Sequence, residues 1–404
     1  YENTPVRKIT DNSYNTAMYN VSDYYKNVSD NKCRIRSVYL LDNGGSIKLS
    51  HERGYYAEYS ETNPIGYKDS GEAGARMYEL KREWSDAVTK AVEAGNRISN
   101  YDGTVNYGYD ELDKDGDGCI DSITIIYKNT TQSNIAVGWG SPLWNYKDYA
   151  DYLVINTDKG SVKSRMYVQL TNSYTKPDGD TLGYLYKDSQ GNVIVSQAAA
   201  IHEMGHIMGL KDLYNSSQSS PVYYMSVMAK HMSPVPQFPS VKEKEVLGWV
   251  EDGDVQTITA SGEYSLRALG TAGHGIAGYK LDISEKGKTL YLEYRNFASN
   301  GNKYDSQYKE LYKTNGKRVD SLPMKSGLVC YLIDTGTKFP NNMNSSPSKW
   351  NYQVLGNQYS TMVDAAVGVD EEKWITDNLS IMVTAIDGNT LTFTIEGNFA
   401  EHIH

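Results

Sequence analysis

From residue 250 onward the sequence breaks into short runs with alternating apolar residues, and this texture limits the fold more than any other feature. The runs cover residues 264–266, 277–283, 289–294, 328–333, 381–385 and 390–395, with Gly, Asn, Asp and Ser between them. A period of two turns one side of each run toward a core and the other outward, the pattern of strands in an all-β, sandwich-like domain. The stretch 249–253 reads as a linker, so two domains are expected, 1–250 and 251–400.

The first part is mixed. Met77, Leu80, Trp84, Val88, Ala91 and Ala94 fall on one stripe at spacings of three and four, which predicts a helix over 73–99. An acidic, Gly-rich loop at 110–121 leads into the β-branched run 122–127, read as a buried strand. Further strands are expected at 152–156 and 165–171, the second as a half-exposed sheet edge. Ser196 is placed to cap a helix running to about Met208, and Gly209 stands where a helix C-terminal glycine belongs. The predicted fold class is α+β.

The 404 residues are 22% charged and 39% hydrophobic, with no apolar run near the roughly 18 residues a membrane span needs. A formal net charge of -10 argues against nucleic acid or an anionic membrane as the main partner, and a monomer is expected. Tyrosine is abundant, at 35 against 5 Phe, which suits exposed sheets and polar binding surfaces. Cys33, Cys119 and Cys330 are too few and too scattered for a disulfide framework or a CxxC site. The chain opens on Tyr1 rather than Met and reads as a processed or truncated product.

The chemistry concentrates in the helix from Ser196. His202 and His206 lie one turn apart on one face, a spacing at which two imidazoles can hold Zn²⁺. Glu203 is one step round the helix, placed to take a proton from a metal-activated water. A third protein ligand is needed. Gly209 lets the chain leave the helix and turn back, and Asp212 follows three residues later, giving HExxHxxGxxD. Glu243 and Glu245 in the later helical stretch are the rival third ligands. Downstream, Met228 is placed for a methionine turn, with Met225 as the alternative. His231 and Tyr214 are candidates for stabilising an oxyanion. The plain alternative is a helix bearing two surface histidines and no metal.

The acidic loop has its own pattern. Asp113, Asp115 and Asp117 stand at positions one, three and five of an EF-hand-type calcium loop, with Gly118, Cys119 and Asp121 at six, seven and nine. Position twelve is Thr124 rather than Glu, so a single structural Ca²⁺ fits better than a paired sensor. The alternative is a solvated acidic turn.

These pieces together resemble the immune inhibitor A family of secreted bacterial zinc metallopeptidases. The resemblance rests on Val21 to Ser29, on Tyr109 to Asp121 with its strand, on the zinc motif with Asp212-Leu213-Tyr214, and on Met228 to Trp249. Fainter echoes are Leu292-Glu293-Tyr294-Arg295 and Gly327-Leu328-Val329. The resemblance implies a metzincin-like catalytic domain, endopeptidase activity on extracellular protein, secretion or cell-surface display, bound calcium and a β-rich C-terminal domain. His202, His206 and Asp212 would be the ligands and Glu203 the base. Within that neighbourhood, the immunoglobulin A-cleaving metalloproteases of gut clostridia are one specific group. The chain departs from the family in its polar residues 1–20, where an apolar strand is usual, and in Lys230, where some metzincins place a Tyr.

Two other functions fit parts of the sequence. One is an adhesin or glycan-binding module whose zinc helix is a relic, although an intact Glu203 argues against a relic. The other is a zinc hydrolase acting on something other than peptides. The expected edge strand at 165–171 favours a peptide, which it could align by adding a strand.

Overall fold

The computed structural model describes residues 13–35, 37, 39–40, 48–93, 98–99, 106–107, 112–127, 141–144, 146–149, 154–157, 160–164, 166–171, 184–188, 190–214, 222, 225–229, 235–272, 275–283, 286–307, 311–313, 324–341, 352–355 and 365–399. The protein is α+β, with few helices and several sheets. Two compact units emerge. The first comprises Tyr1–Tyr24, Arg34–Leu185 and Ala199–Ile207, and the second Tyr25–Cys33, Tyr186–Ala198 and Met208–His404. Among the described residues no helix is long and apolar enough to cross a membrane.

Helix α1 (Ser13–Val28) begins in the first unit and buries Val21, Tyr24, Tyr25 and Val28 at spacings of three and four. Helix α2 (Ser70–Glu93) starts three residues before the predicted stretch. Asp69 accepts the amides of Gly71 and Glu72 at 2.8 and 2.9 Å, and Glu72 reaches back to the amide of Lys68 at 2.8 Å. Asp and Glu at this spacing satisfy amides that the first helical turn leaves unpaired. The helix also stops short of residue 99, and Ile98–Ser99 is a strand. Residues 94–97, including Ala94 of the predicted stripe, lie outside the described residues. The stripe does point inward: Leu80 and Trp84 are each 1% exposed.

Among the described residues the first unit also holds three small sheets. Strands β1 (Tyr39–Leu40), β2 (Ile98–Ser99) and β3 (Asn106–Tyr107) pair in sequence order. Strand β4 (Cys119–Ile120) runs parallel to β8 (Gly160–Ser164), which pairs with β7 (Val154–Thr157). In the third sheet β5 (Ile123–Tyr127), β9 (Met166–Thr171) and β6 (Tyr146–Tyr149) follow the order β5-β9-β6. The expected edge strand at 165–171 is therefore the central one. Its backbone groups are taken by a parallel partner on one side and an antiparallel partner on the other, so it has no free edge to offer a peptide. A core of Tyr56, Leu80, Tyr127 and Leu143 lies in this unit, and Ser141 Oγ donates to the Tyr56 carbonyl at 2.7 Å.

After Tyr25–Cys33 the second unit resumes in β10 (Tyr184–Asp188), whose last three residues belong to it, and β11 (Val193–Ser196). Helix α3 (Ala198–Ile207) follows, all but its first residue belonging to the first unit, and the short α4 (Val241–Val246) lies in the second. Beyond them come β12 (Val255–Thr257), β13 (Gly262–Arg267), β14 (Gly278–Ile283), β15 (Lys288–Arg295), β16 (Leu311–Lys313), β17 (Gly327–Asp334), β18 (Tyr352–Val354), β19 (Glu372–Thr376), β20 (Leu379–Asp387) and β21 (Thr390–Gly397). The six alternating runs read from the sequence coincide with β13, β14, β15, β17, β20 and β21.

A five-stranded sheet, β12-β14-β15-β17-β18, and a four-stranded one, β13-β21-β20-β19, share one apolar core. Leu290, Leu292 and Tyr294 of β15 share that core with Leu379, Ile381, Phe393 and Ile395. The opposite face of β15 is also buried, beneath α4. Gly278 of β14 permits this approach, because a Cβ there would lie 2.7 Å from a methyl of Val241.

Candidate metal centre

The helix that carries His202, Glu203 and His206 is buried on nearly all sides. Residues from Ala198 through Gly205 are all buried, as expected of a run of three alanines and an isoleucine that can pack closely. Ser196 ends β11 rather than standing at the first cap position, and its Oγ accepts the amide of Ala198, the first helical residue, at 3.2 Å. Of the two histidines that the plain reading puts on the surface, His202 is buried and His206 half-buried. His202 is 1% exposed and Glu203 5%, and burying an imidazole and a carboxyl side by side is costly unless they are engaged.

His202 and His206 aim their Nε2 atoms at one place, 3.1 Å apart, with ring centroids at 4.6 Å and planes crossed at 84°. Two imidazole nitrogens bound to one Zn²⁺ at about 2.0–2.1 Å and near-tetrahedral angles sit roughly 3.3 Å apart. With a Glu203 oxygen, the three donor atoms lie within 4.8 Å of one another, so this group could hold a metal ion.

Past the helix the chain turns at Gly209, whose φ of +99° is one that L side chains rarely adopt. Asp212 and Tyr214 follow, both half-buried, in the second unit. The amide of Leu213, between them, donates to the carbonyl of Met228 at 2.9 Å. Residues 226–229 form a tight turn. The Ala229 amide donates to the Ser226 carbonyl at 3.0 Å, and the Met228 amide to Ser226 Oγ at 3.0 Å. Met225 and Met228 are both fully buried. His231 and Lys230 lie outside the described residues.

The rival ligands Glu243 and Glu245 are both committed elsewhere. Glu243 accepts from Ser226 Oγ at 2.6 Å and from the Ser240 amide at 2.8 Å, closing a capping box at the start of α4. Burial pushes its carboxyl upward, against the pull of those hydrogen bonds. Glu245 takes Lys280 on one oxygen and Tyr291 on the other, each at 2.7 Å.

Asp113, Asp115 and Asp117 also offer carboxylate oxygens within 4.8 Å of one another, a second group that could hold a metal ion. Asp113 accepts the amides of Gly116 and Gly118, each at 2.9 Å, and Asp117 that of Cys119 at 2.8 Å. Gly116 and Gly118 have φ of +75° and +80°, the left-handed turns that wrap the loop round its own carboxylates. Asp121 accepts weakly from the Lys114 amide at 3.5 Å. Burial above all raises its pKa, with repulsion from Asp115, Asp113 and Asp117 adding to that rise.

Sequence reasoning passed over one buried constellation. Glu293, Arg295 and Asp305 are all 0% exposed and joined by ion pairs. Glu293 and Arg295 alternate with Leu292 and Tyr294, so the period of two gives them a solvent-facing look. Their burial comes from α4 and from Asp305, for which the six-residue run 289–294 carries no local signal. The sequence matches no protein-family model, and no curated protein matches it significantly.

Proposed function

We propose that this chain is a secreted zinc endopeptidase of metzincin-like, immune inhibitor A type, acting on extracellular protein, with a host protein such as immunoglobulin A as one substrate to test. The observation that carries the reading is the burial of His202 and Glu203 beside His206, with two imidazole nitrogens converging at 3.1 Å. A zinc ion held there would bring the pKa of a bound water to about 7 and polarise a carbonyl.

The chain's own residues do the rest. His202 and His206 hold the ion. Asp212 is the third ligand on its spacing after Gly209, and the commitments of Glu243 and Glu245 favour that choice. Glu203 accepts the proton of the attacking water as its oxygen bonds to the scissile carbonyl carbon. It then delivers that proton to the departing amine as the C–N bond breaks. Tyr214 and His231 remain the candidates for the oxyanion, and residues 226–229 serve as the methionine turn. The Asp113–Asp117 loop takes Ca²⁺ in a structural role, supported by its oxygen donors and its position before β4.

The test is hydrolysis of a denatured protein by the purified full chain, with and without chelator. Hydrolysis abolished by chelator and restored by zinc supports the reading. A zinc-loaded chain that cuts no protein favours the binding-module alternative.

A further inference from the structure

We infer that Arg295 is a positioning residue for the methionine turn, its buried guanidinium fixing the carbonyl of Met225 from the two-sheet β region. This rests on the reading of residues 226–229 as the turn that supports a catalytic ion.

The guanidinium is fixed on one edge and active on the other. Its Nε and Nη2 bind both oxygens of Asp305, at 2.8 and 2.7 Å, a paired geometry that sets the plane of the group. Its Nη1 donates to the carbonyls of Met225 and Phe238, at 3.2 and 3.1 Å, and to Glu293 at 3.2 Å. Asp305 is itself held by Asn302 Nδ2 at 2.8 Å, and Glu293 by the Tyr331 hydroxyl at 2.7 Å. The other oxygen of Glu293 accepts the amide of Val241 at 2.7 Å.

Two inward residues of one strand therefore grip the segment that contains the turn. Arg295 takes its start at Met225 and its far side at Phe238, and Glu293 takes its end at Val241. Gly270 lets Phe238 sit close, since a Cβ there would lie 2.4 Å from the Phe238 ring.

Adhesion alone does not call for this arrangement. An apolar cluster of the same volume would hold two layers together at least as well, because burying ions costs several kcal/mol each. Arginine adds direction. It supplies a fork of donors at fixed angles to the carbonyls of Met225 and Phe238, which lie outside the strands among the described residues. Burial opposes its charge, and the carboxylates of Asp305 and Glu293 more than offset that.

Hydrogen exchange on the full chain, with and without added zinc, tests this together with kcat and KM on a protein substrate. Arg295→Lys keeps the charge but loses the fork. The amides of Leu213, Met228 and Ala229 are expected to exchange at least tenfold faster, with β20 and β21 within twofold of wild type. The zinc-loaded variant should show kcat down about tenfold and KM within twofold. Phe393→Leu, in the shared core, serves as a control that lowers stability without selective loosening of the turn. Should Arg295→Lys fail to fold, Asp305→Asn releases the same fork and should give the same pattern. Wild-type exchange at the turn in either variant, or equal acceleration in β20 and β21, overturns the inference. A wild-type chain that binds no zinc instead overturns the catalytic reading beneath it.

Discussion

The amide of Leu213 donates to the carbonyl of Met228 across 2.9 Å. This bond fastens the segment that follows α3 to the turn at Ser226. The residue proposed as third ligand, Asp212, thus adjoins a backbone bond to the proposed methionine turn.

The route into that segment depends on Gly209. Its φ of +99° is unfavourable for any side chain, and a Cβ would meet the Phe339 ring at 3.4 Å. Gly209→Ala should lower stability by about 1–2 kcal/mol. It should also weaken zinc retention more than an alanine at the exposed Gly191 does. Thermal melting with and without zinc measures both effects.

Met228 fills a fully buried site. Met228→Leu conserves volume and should cost less than about 1.5 kcal/mol. Met228→Ala opens a cavity and should cost about 2–5 kcal/mol. Urea unfolding distinguishes the two, and a leucine variant that retains zinc would show that packing, not sulfur, is what the position requires.

Glu245 sets an acid-side dependence. Burial acts to raise its pKa, but hydrogen bonds from Lys280 and Tyr291, with the charges of Lys280 and Lys242, hold it below the usual carboxylate value. A depressed pKa means that this contribution is complete above the unfolded value near 4.3 and lost as pH falls through the folded one. Glu245→Gln should therefore be less stable than wild type at neutral pH by about 1–3 kcal/mol. That gap should close below about pH 4. Denaturant midpoints measured from pH 3 to 7 check the sign.

The acidic loop gives a separate prediction. Added Ca²⁺ at a hundred times its dissociation constant should stabilise the chain by about 2.7 kcal/mol. Asp113→Asn should remove most of that gain, because Asp113 also organises the Gly116 and Gly118 amides. Calorimetry with Ca²⁺ and with Mg²⁺ measures it, and no difference between wild type and variant would leave the loop as an acidic turn.

The legible parts of this molecule are those where period or spacing is local. The strands β13, β14, β15, β17, β20 and β21 follow from alternation. The placement of His202, Glu203 and His206 follows from helical spacing. What escaped depends on partners distant in sequence. The run 165–171 looks like an edge strand, yet it pairs with strands starting at Ile123 and Tyr146. Glu293 and Arg295 read as solvent-facing because their burial comes from α4 and from Asp305, which no local period encodes. Glu243 looked free to bind metal, and its contact with Ser226, beside the capping box with Ser240, shows otherwise. The apolar stripe of α1 falls at Val21, Tyr24, Tyr25 and Val28, just past the polar residues 1–20, where it is easily taken for a motif.

The central claim is that Glu203 acts as a base beside a metal held by its neighbours. The most direct measurement is zinc content and protein hydrolysis of Glu203→Ala beside wild type. The account predicts equal zinc in both, with hydrolysis lowered at least 10²-fold to 10⁴-fold in the variant. Wild-type hydrolysis by a zinc-loaded Glu203→Ala chain would contradict it.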